Sequence, residues 1–139
     1  MSTATLATEE SPAAVIGRYL DAINGGDADL AAAMVSEDFV SEHPSDPTVD
    51  LVGRAAHRER LRAVMRELRG VSYEAEDVIS TGVRVALPYR MTGQWCAPDG
   101  TGHPFSLRGV FVFTVCEGKI TRRADYWDGM DFARQVGIS

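Results

Sequence analysis

The chain has 139 residues, 45% of them hydrophobic and 24% charged, with a formal net charge of -6 from 14 basic and 20 acidic side chains. That length fits one domain that can bury a real core. The acidic balance argues against nucleic-acid binding, which rests on neutralising phosphates with Lys and Arg, and no apolar run approaches the length needed to cross a membrane.

Residues 1–10 are small and polar and are expected to fray, leaving 11–139 as the single domain. They lack the basic start and apolar run of a signal peptide, so a cytoplasmic location is expected. Ser11-Pro12 reads as an N-cap and first helical residue. Val15, Ile16, Tyr19, Leu20 and Ile23 follow at helical spacing, and Asn24-Gly25-Gly26 ends the helix. Asp27 can cap a second, short helix carrying Leu30 and Met34. "DFVSEHPSDP" is a short extended piece broken by Pro44 and Pro47. The next helix spans Gly53 to Leu68, with Leu61, Val64, Met65 and Leu68 as its buried stripe. His57 on this helix and His103 in a loop are expected at the surface.

Four strands follow, at 71–80, 83–95, 105–115 and 119–127, punctuated by Gly82, "APDGTGHP" and Glu117-Gly118. Cys96 and Cys116 then fall at opposite ends of one hairpin, too far apart for a disulfide. Asp128 can cap a last short helix carrying Phe132 and Val136 and stopped by Gly137. Helices first and antiparallel strands afterwards give an α+β fold: a strongly curved antiparallel sheet wrapped around the helices, whose open end can hold a small ligand.

The stretches "VIGRYLDAINGGDADLAAAMVSEDFVSEHP", "GVRVALPYRMTG", "LRGVFVF" and "GKITRRADYWDGMDFARQVG" carry a resemblance. The first resembles the opening of a ketosteroid isomerase. The others resemble the second half of a SnoaL-like polyketide cyclase or a limonene-epoxide-hydrolase-type protein. The resemblance covers residues 12–137. It implies the cone-shaped fold of nuclear transport factor two, commonly dimeric, with a deep apolar pocket and no metal or organic cofactor. It puts Tyr19 where the isomerases keep a tyrosine that donates to the substrate oxyanion, and His43 where they keep an aspartate base. Their second oxyanion donor would fall at Gly109, which has no side chain. Asp125 falls where the cyclases keep a general acid/base and where the epoxide hydrolases keep the acid that activates water. The hydrolases' Arg-x-Asp pair on an earlier strand is matched only by Tyr89-Arg90-Met91, and so is broken.

The residues themselves carry the same question. Strict alternation along "KITRRADYW" puts Thr121, Arg123, Asp125 and Trp127 on one face and Ile120, Arg122, Ala124 and Tyr126 on the other. Neither face is cleanly apolar, so the pattern leaves the inner one open; the resemblance favours the Asp125 face. A carboxyl inside an apolar cone is desolvated, which raises its pKa, while Arg123 nearby lowers it. The alternative is an exposed strand acid, since Asp128 is the better helix cap. His43 is the natural second proton carrier, and Glu42 is its alternative if the register slips by one. Trp127, Tyr89, Met91, Trp95, Phe105 and Phe111 are candidate pocket wall, with Arg123 as a charged contact. Arg108 is expected on the outer face. The Arg58, Arg62, Arg66 row reads as a solvated helix face. No metal-ligand spacing, phosphate loop or nucleophile elbow occurs. The expected activity is cofactor-free acid/base catalysis on a small apolar carbonyl compound, by aldol-type cyclisation or isomerisation. Epoxide opening and non-catalytic ligand binding are the alternatives.

Overall fold

In the computed structural model, residues 10–138 are described. The segment expected to fray therefore lies outside the described residues except for Glu10. Helix α1 (Pro12–Asn24) starts where Ser11 accepts a hydrogen bond from the Ala14 amide at 3.1 Å. It ends at Gly25, followed by Gly26 at φ 72°. Asp27 caps α2 (Ala28–Ala33) through the Leu30 amide at 3.0 Å. Strands β1 (Val35–Glu42) and β2 (Leu51–Val52) flank a single 3-10 turn at Pro47–Val49. Helix α3 (Arg54–Glu67) leads directly into β3 (Leu68–Ala75). Strands β4 (Ile79–Thr81), β5 (Arg84–Cys96), β6 (Gly102–Cys116) and β7 (Lys119–Trp127) follow, and α4 (Gly129–Val136) closes the chain. Asp128 caps α4 through the Met130 and Asp131 amides, and Gly137 ends it at φ 80°.

The seven strands form one sheet in the order β2-β1-β7-β6-β5-β3, with β4 beside β5. The architecture is the expected α+β arrangement of helices and a curved open sheet. The sheet is richer than the sequence pattern suggests. The extended piece after α2 is a full strand, and it pairs with β7 in parallel, as the chain between them crosses over through α3 and the rest of the sheet. The single strand expected at 71–80 is two, interrupted at residues 76–78. His103, expected in a loop, stands in β6, its ring 5.8 Å from that of Trp95.

One sheet face packs against the helices. Val85, Leu87, Tyr89 and Met91 of β5 alternate inward, as do Phe105, Leu107, Phe111, Phe113 and Val115 of β6. They meet Val15, Ile16, Tyr19 and Ile23 of α1, with Tyr19 edge-on to Phe113. Arg108 faces out, as expected, and pairs with Glu76 at 3.0 Å. The β5–β6 register puts Cys96 opposite Gly102 and Cys116 at the far end of β6, both as free thiols. Among the described residues, no helix is long and apolar enough to cross a membrane.

Gly109 is the tightest point of this face. It pairs with Tyr89 on one side and Trp127 on the other. A Cβ here would lie 2.5 Å from Tyr89 Cζ, closer still to its hydroxyl, and 2.8 Å from the Tyr126 carbonyl oxygen. The Tyr89 ring occupies the space that any side chain at 109 would need. Gly109→Ala is therefore expected to destabilise the fold by about 1–3 kcal/mol through overpacking. An unchanged urea midpoint would show that the ring has room to move.

Candidate active site

Register decides which side chains look inward. The β6–β7 ladder pairs Thr114 with Arg122 and then Val115 with Ile120, leaving Thr121 as an extra residue. Such a bulge shifts the alternation by one position. Ile120, Arg123 and Asp125 are consequently all buried, with Trp127 half-buried beyond them. Arg123 stands opposite Phe113 and Asp125 opposite Phe111, both inward residues. This is why neither face of the strand looked apolar in the sequence: the strictly alternating set puts Thr121 inside and Ile120 outside, the reverse of their true places.

Asp125 and Arg123 line a cavity of about 1050 Å³ at the open end of the sheet. Its walls are mainly apolar: Leu61, Val64, Met65, Leu68, Val71, Met91 and Leu107. Trp95, Trp127, Tyr73 and Tyr89 add aromatic surface, and Met130, Phe132 and Ile138 close one side. His43 and His57 add polar groups to the buried part of the lining, and Ser45, Asp46, Arg60, Glu67 and Asp128 are exposed lining residues. Tyr89 donates its hydroxyl proton to Asp125 Oδ1 at 2.7 Å, both groups buried. Burial pushes the Asp125 carboxyl above its ordinary range, against the opposing pull of Arg123, the Tyr89 hydrogen bond and His43. Burial lowers His43, with Arg123 acting in the same sense and Asp125 and Asp50 against it. Its amide donates to Asp50 Oδ1 at 2.6 Å, which anchors the turn that presents the imidazole.

Arg123 has no carboxylate in hydrogen-bond contact. Its Nη1 donates to the Tyr19 hydroxyl and its Nη2 to Ser41 Oγ, each at 3.0 Å. The guanidinium carbon lies 5.4 Å from the centre of the Phe111 ring, a weak cation–π contact. The Tyr19 hydroxyl is also 2.8 Å from His57 Nε2. As Tyr19 accepts from Arg123, its own proton is free to go to His57. Burial holds His57 neutral, its pKa depressed to about 2 with Arg123 and His43 reinforcing the effect.

Several expectations need correction. His57 is fully buried rather than at the surface. It stands four residues before Leu61, on the same helical stripe, and that spacing was the signal available in the sequence. Tyr19 does not line the cavity; its hydroxyl is held between Arg123 and His57 beneath it. Glu42 lies off the cavity and pairs with Arg122 on the other face, whereas His43 lines it. Phe105 and Phe111 are buried core, packed against Phe132 and against Tyr89 and Phe113 respectively, and do not line the cavity. Tyr89, Met91, Trp95, Trp127 and Arg123 line the cavity. In Tyr89-Arg90-Met91 the middle residue turns away to donate to Ser106 Oγ at 2.9 Å, so no arginine enters the cavity from β5. Tyr73, Leu107 and the α4 wall were not picked out by sequence, because only tertiary packing brings them to this opening.

Residues 16–123 match the family described as SnoaL-like domain. Among solved structures, the chain is 27% identical to a candidate polyketide cyclase from Xanthomonas campestris pv. campestris, covering 90% of this chain and 96% of that one, with a TM-score of 0.77. A Catenulispora acidiphila DSM 44928 protein with a ketosteroid isomerase-like fold, in complex with trimethylamine, is 14% identical over 90% of this chain and 93% of its own, at a TM-score of 0.80. An LEH-like epoxide hydrolase from M. tuberculosis is 20% identical over 88% and 86%, at 0.73. The last two show the shared fold. Among curated proteins, none matches the chain.

The buried His57 has a consequence for stability. Its pKa is depressed from 6.5 to about 2 in the folded state, so between those values the unfolded chain binds the extra proton. Its contribution is complete above pH 6.5 and is lost as pH falls toward the folded value, by up to about 1.4 kcal/mol per pH unit. His57→Gln, which keeps a polar group beside Tyr19 without titrating, is expected to flatten the acid side of the stability–pH curve. Equal slopes for the two proteins in urea titrations across that range would contradict this placement of His57.

Proposed function

The chain belongs to the SnoaL-like domain family, and from that premise we propose that it is a cofactor-independent acid/base enzyme acting on a small apolar carbonyl compound. The observation that carries the reading is Asp125: a buried carboxyl facing an apolar cavity, its pKa raised by burial and one oxygen fixed by the Tyr89 hydroxyl. A group tuned in this way is suited to give or take a proton near neutral pH.

Tyr89 occupies Oδ1, so Oδ2 is the oxygen left for a substrate. In the protonated carboxyl that oxygen donates to the substrate carbonyl. His43, kept neutral by burial, takes the proton from the adjacent carbon. The substrate becomes an enol, Asp125 a carboxylate and His43 an imidazolium. The enol then attacks a second carbonyl of the same molecule, closing a ring by an aldol-type step, or is reprotonated at another carbon, which is an isomerisation. Burial lowers the His43 pKa and raises that of Asp125, and both shifts favour the neutral imidazole and protonated carboxyl from which this step starts. Tyr19 supports this arrangement indirectly, by holding Arg123.

Epoxide opening is the second reading, favoured by the same protonated carboxyl, which could equally protonate an epoxide oxygen. Oxygen-18 water separates the two: hydrolysis of an epoxide carries label into a diol, whereas cyclisation or isomerisation need not.

Exchange of the α-protons of 1-tetralone in deuterium oxide, followed by NMR, tests the main reading without knowledge of the natural substrate. Asp125→Asn is expected to lower the exchange rate by about 10²–10⁴-fold. Full exchange in that variant would sink the mechanism, and binding of the ketone without exchange in the wild type would make this a ligand-binding module. Tyr89→Phe removes a hydrogen bond that favours the ionised carboxylate. The Asp125 pKa therefore rises, and the alkaline limb of the rate profile moves up by about 1–2 pH units. Movement of the acidic limb instead would assign Asp125 as the base.

A further inference from the structure

Arg123 is a buried cation whose partners are all neutral. Its side chain reaches the Tyr19 hydroxyl and Ser41 Oγ, and its Nε has no hydrogen-bond partner. Among the described residues it makes no ion pair within 4.0 Å, although seven other arginine–carboxylate pairs occur. Only 7% of its surface remains accessible, and it lines the cavity. Guanidinium stays charged in any protein setting. A buried charge without a paired counter-charge is a costly arrangement, and one that a structure retains only with some compensation.

Asp125, two residues on along the same inward face, compensates at a distance while it is ionised. In the acid form that the proposed reaction uses, it carries no charge. The other buried titratable groups of the lining are neutral as well: burial lowers His43 and His57 and raises Tyr73 and Tyr89. In that state Arg123 leaves the deep end of the cavity net positive. The exposed lining residues Asp46, Arg60, Glu67 and Asp128 lie toward the mouth, where water screens them.

We propose that the ligand of this cavity is an apolar molecule bearing a carboxylate, bound with that anionic group toward Arg123 and its apolar body along the α3 and β5 wall. This names the substrate class of the site and rests on the reading of the cavity as the substrate site. Arg123 is then the residue that sets specificity, and Tyr19 and Ser41 are positioning residues that hold its fork.

The test is calorimetric titration at neutral pH with three probes of one shape: 4-tert-butylbenzoate, 4-tert-butylbenzamide and 4-tert-butylbenzylammonium. The carboxylate is expected to bind about 10–100-fold more tightly than the amide, the range of one charge-assisted contact, and the ammonium most weakly. Asp125→Asn, which removes the remaining negative charge, is expected to keep or widen that preference, and Arg123→Met to abolish it. Equal affinity for carboxylate and amide, a preference for the ammonium, or a preference that survives in a folded Arg123→Met protein would each overturn the proposal. Should Arg123→Met not fold, the wild-type series and Asp125→Asn decide it. Ketone exchange that depends on Asp125, together with no carboxylate preference, removes this inference alone. A carboxylate preference in a protein that exchanges no ketone removes the catalytic reading and leaves the anion site standing.

Discussion

A one-residue bulge in β7 decides which side chains enter the interior of this molecule. Thr121 has no partner on β6, and the strand beyond it is turned so that Arg123 and Asp125 look inward. Arg123 and Asp125 thereby join His43 and His57 in a space walled mainly by Val, Leu, Met and aromatic side chains. Without the extra residue, the alternation fixed by Ile120 would carry Arg122 and Ala124 inward, and the interior would hold no carboxyl.

Everything around those two residues answers the problem of burying them. Gly109 lacks a side chain so that the Tyr89 ring can lie across it and bring its hydroxyl to Asp125. Tyr19 and Ser41 take two of the guanidinium nitrogens, and Phe111 lies under its carbon. His57 takes up the far side of Tyr19. These residues come from α1, β1, α3, β5 and β6, so the network crosses every layer of the fold. It is held by neutral donors and acceptors rather than by a tight ion pair: Arg123 bonds to Tyr19 and Ser41, and Asp125 to Tyr89.

The apolar side of the molecule shows the same division. Deep in the sheet, Phe39, Phe113 and Ile120 are fully buried and only fill space. Nearer the opening, Val64, Met65 and Leu68 remain half-buried because they face a cavity rather than a packed partner. The sequence does not distinguish these groups, as the same apolar residues at the same helical spacing serve for core and for pocket wall.

The four helices and the order of the last three strands, the caps at Ser11, Asp27 and Asp128, the free thiols at opposite ends of a hairpin and the outward Arg108 were all legible in the sequence. Each is set by neighbours a few residues away, through helix periodicity, capping hydrogen bonds or the pleat of a strand. Asp125 was legible as an acid out of place. Its direction was not, because a bulge is invisible to strict alternation. Tyr19 was read as a substrate contact and His57 as a surface residue. Their true relation is a hydrogen bond across 38 positions of the chain, which no local pattern encodes. Sequence alone determined which residues could do chemistry here. Tertiary structure decided which of them share a cavity, since that depends on register and long-range packing, where one residue more or less in a strand exchanges inside for outside.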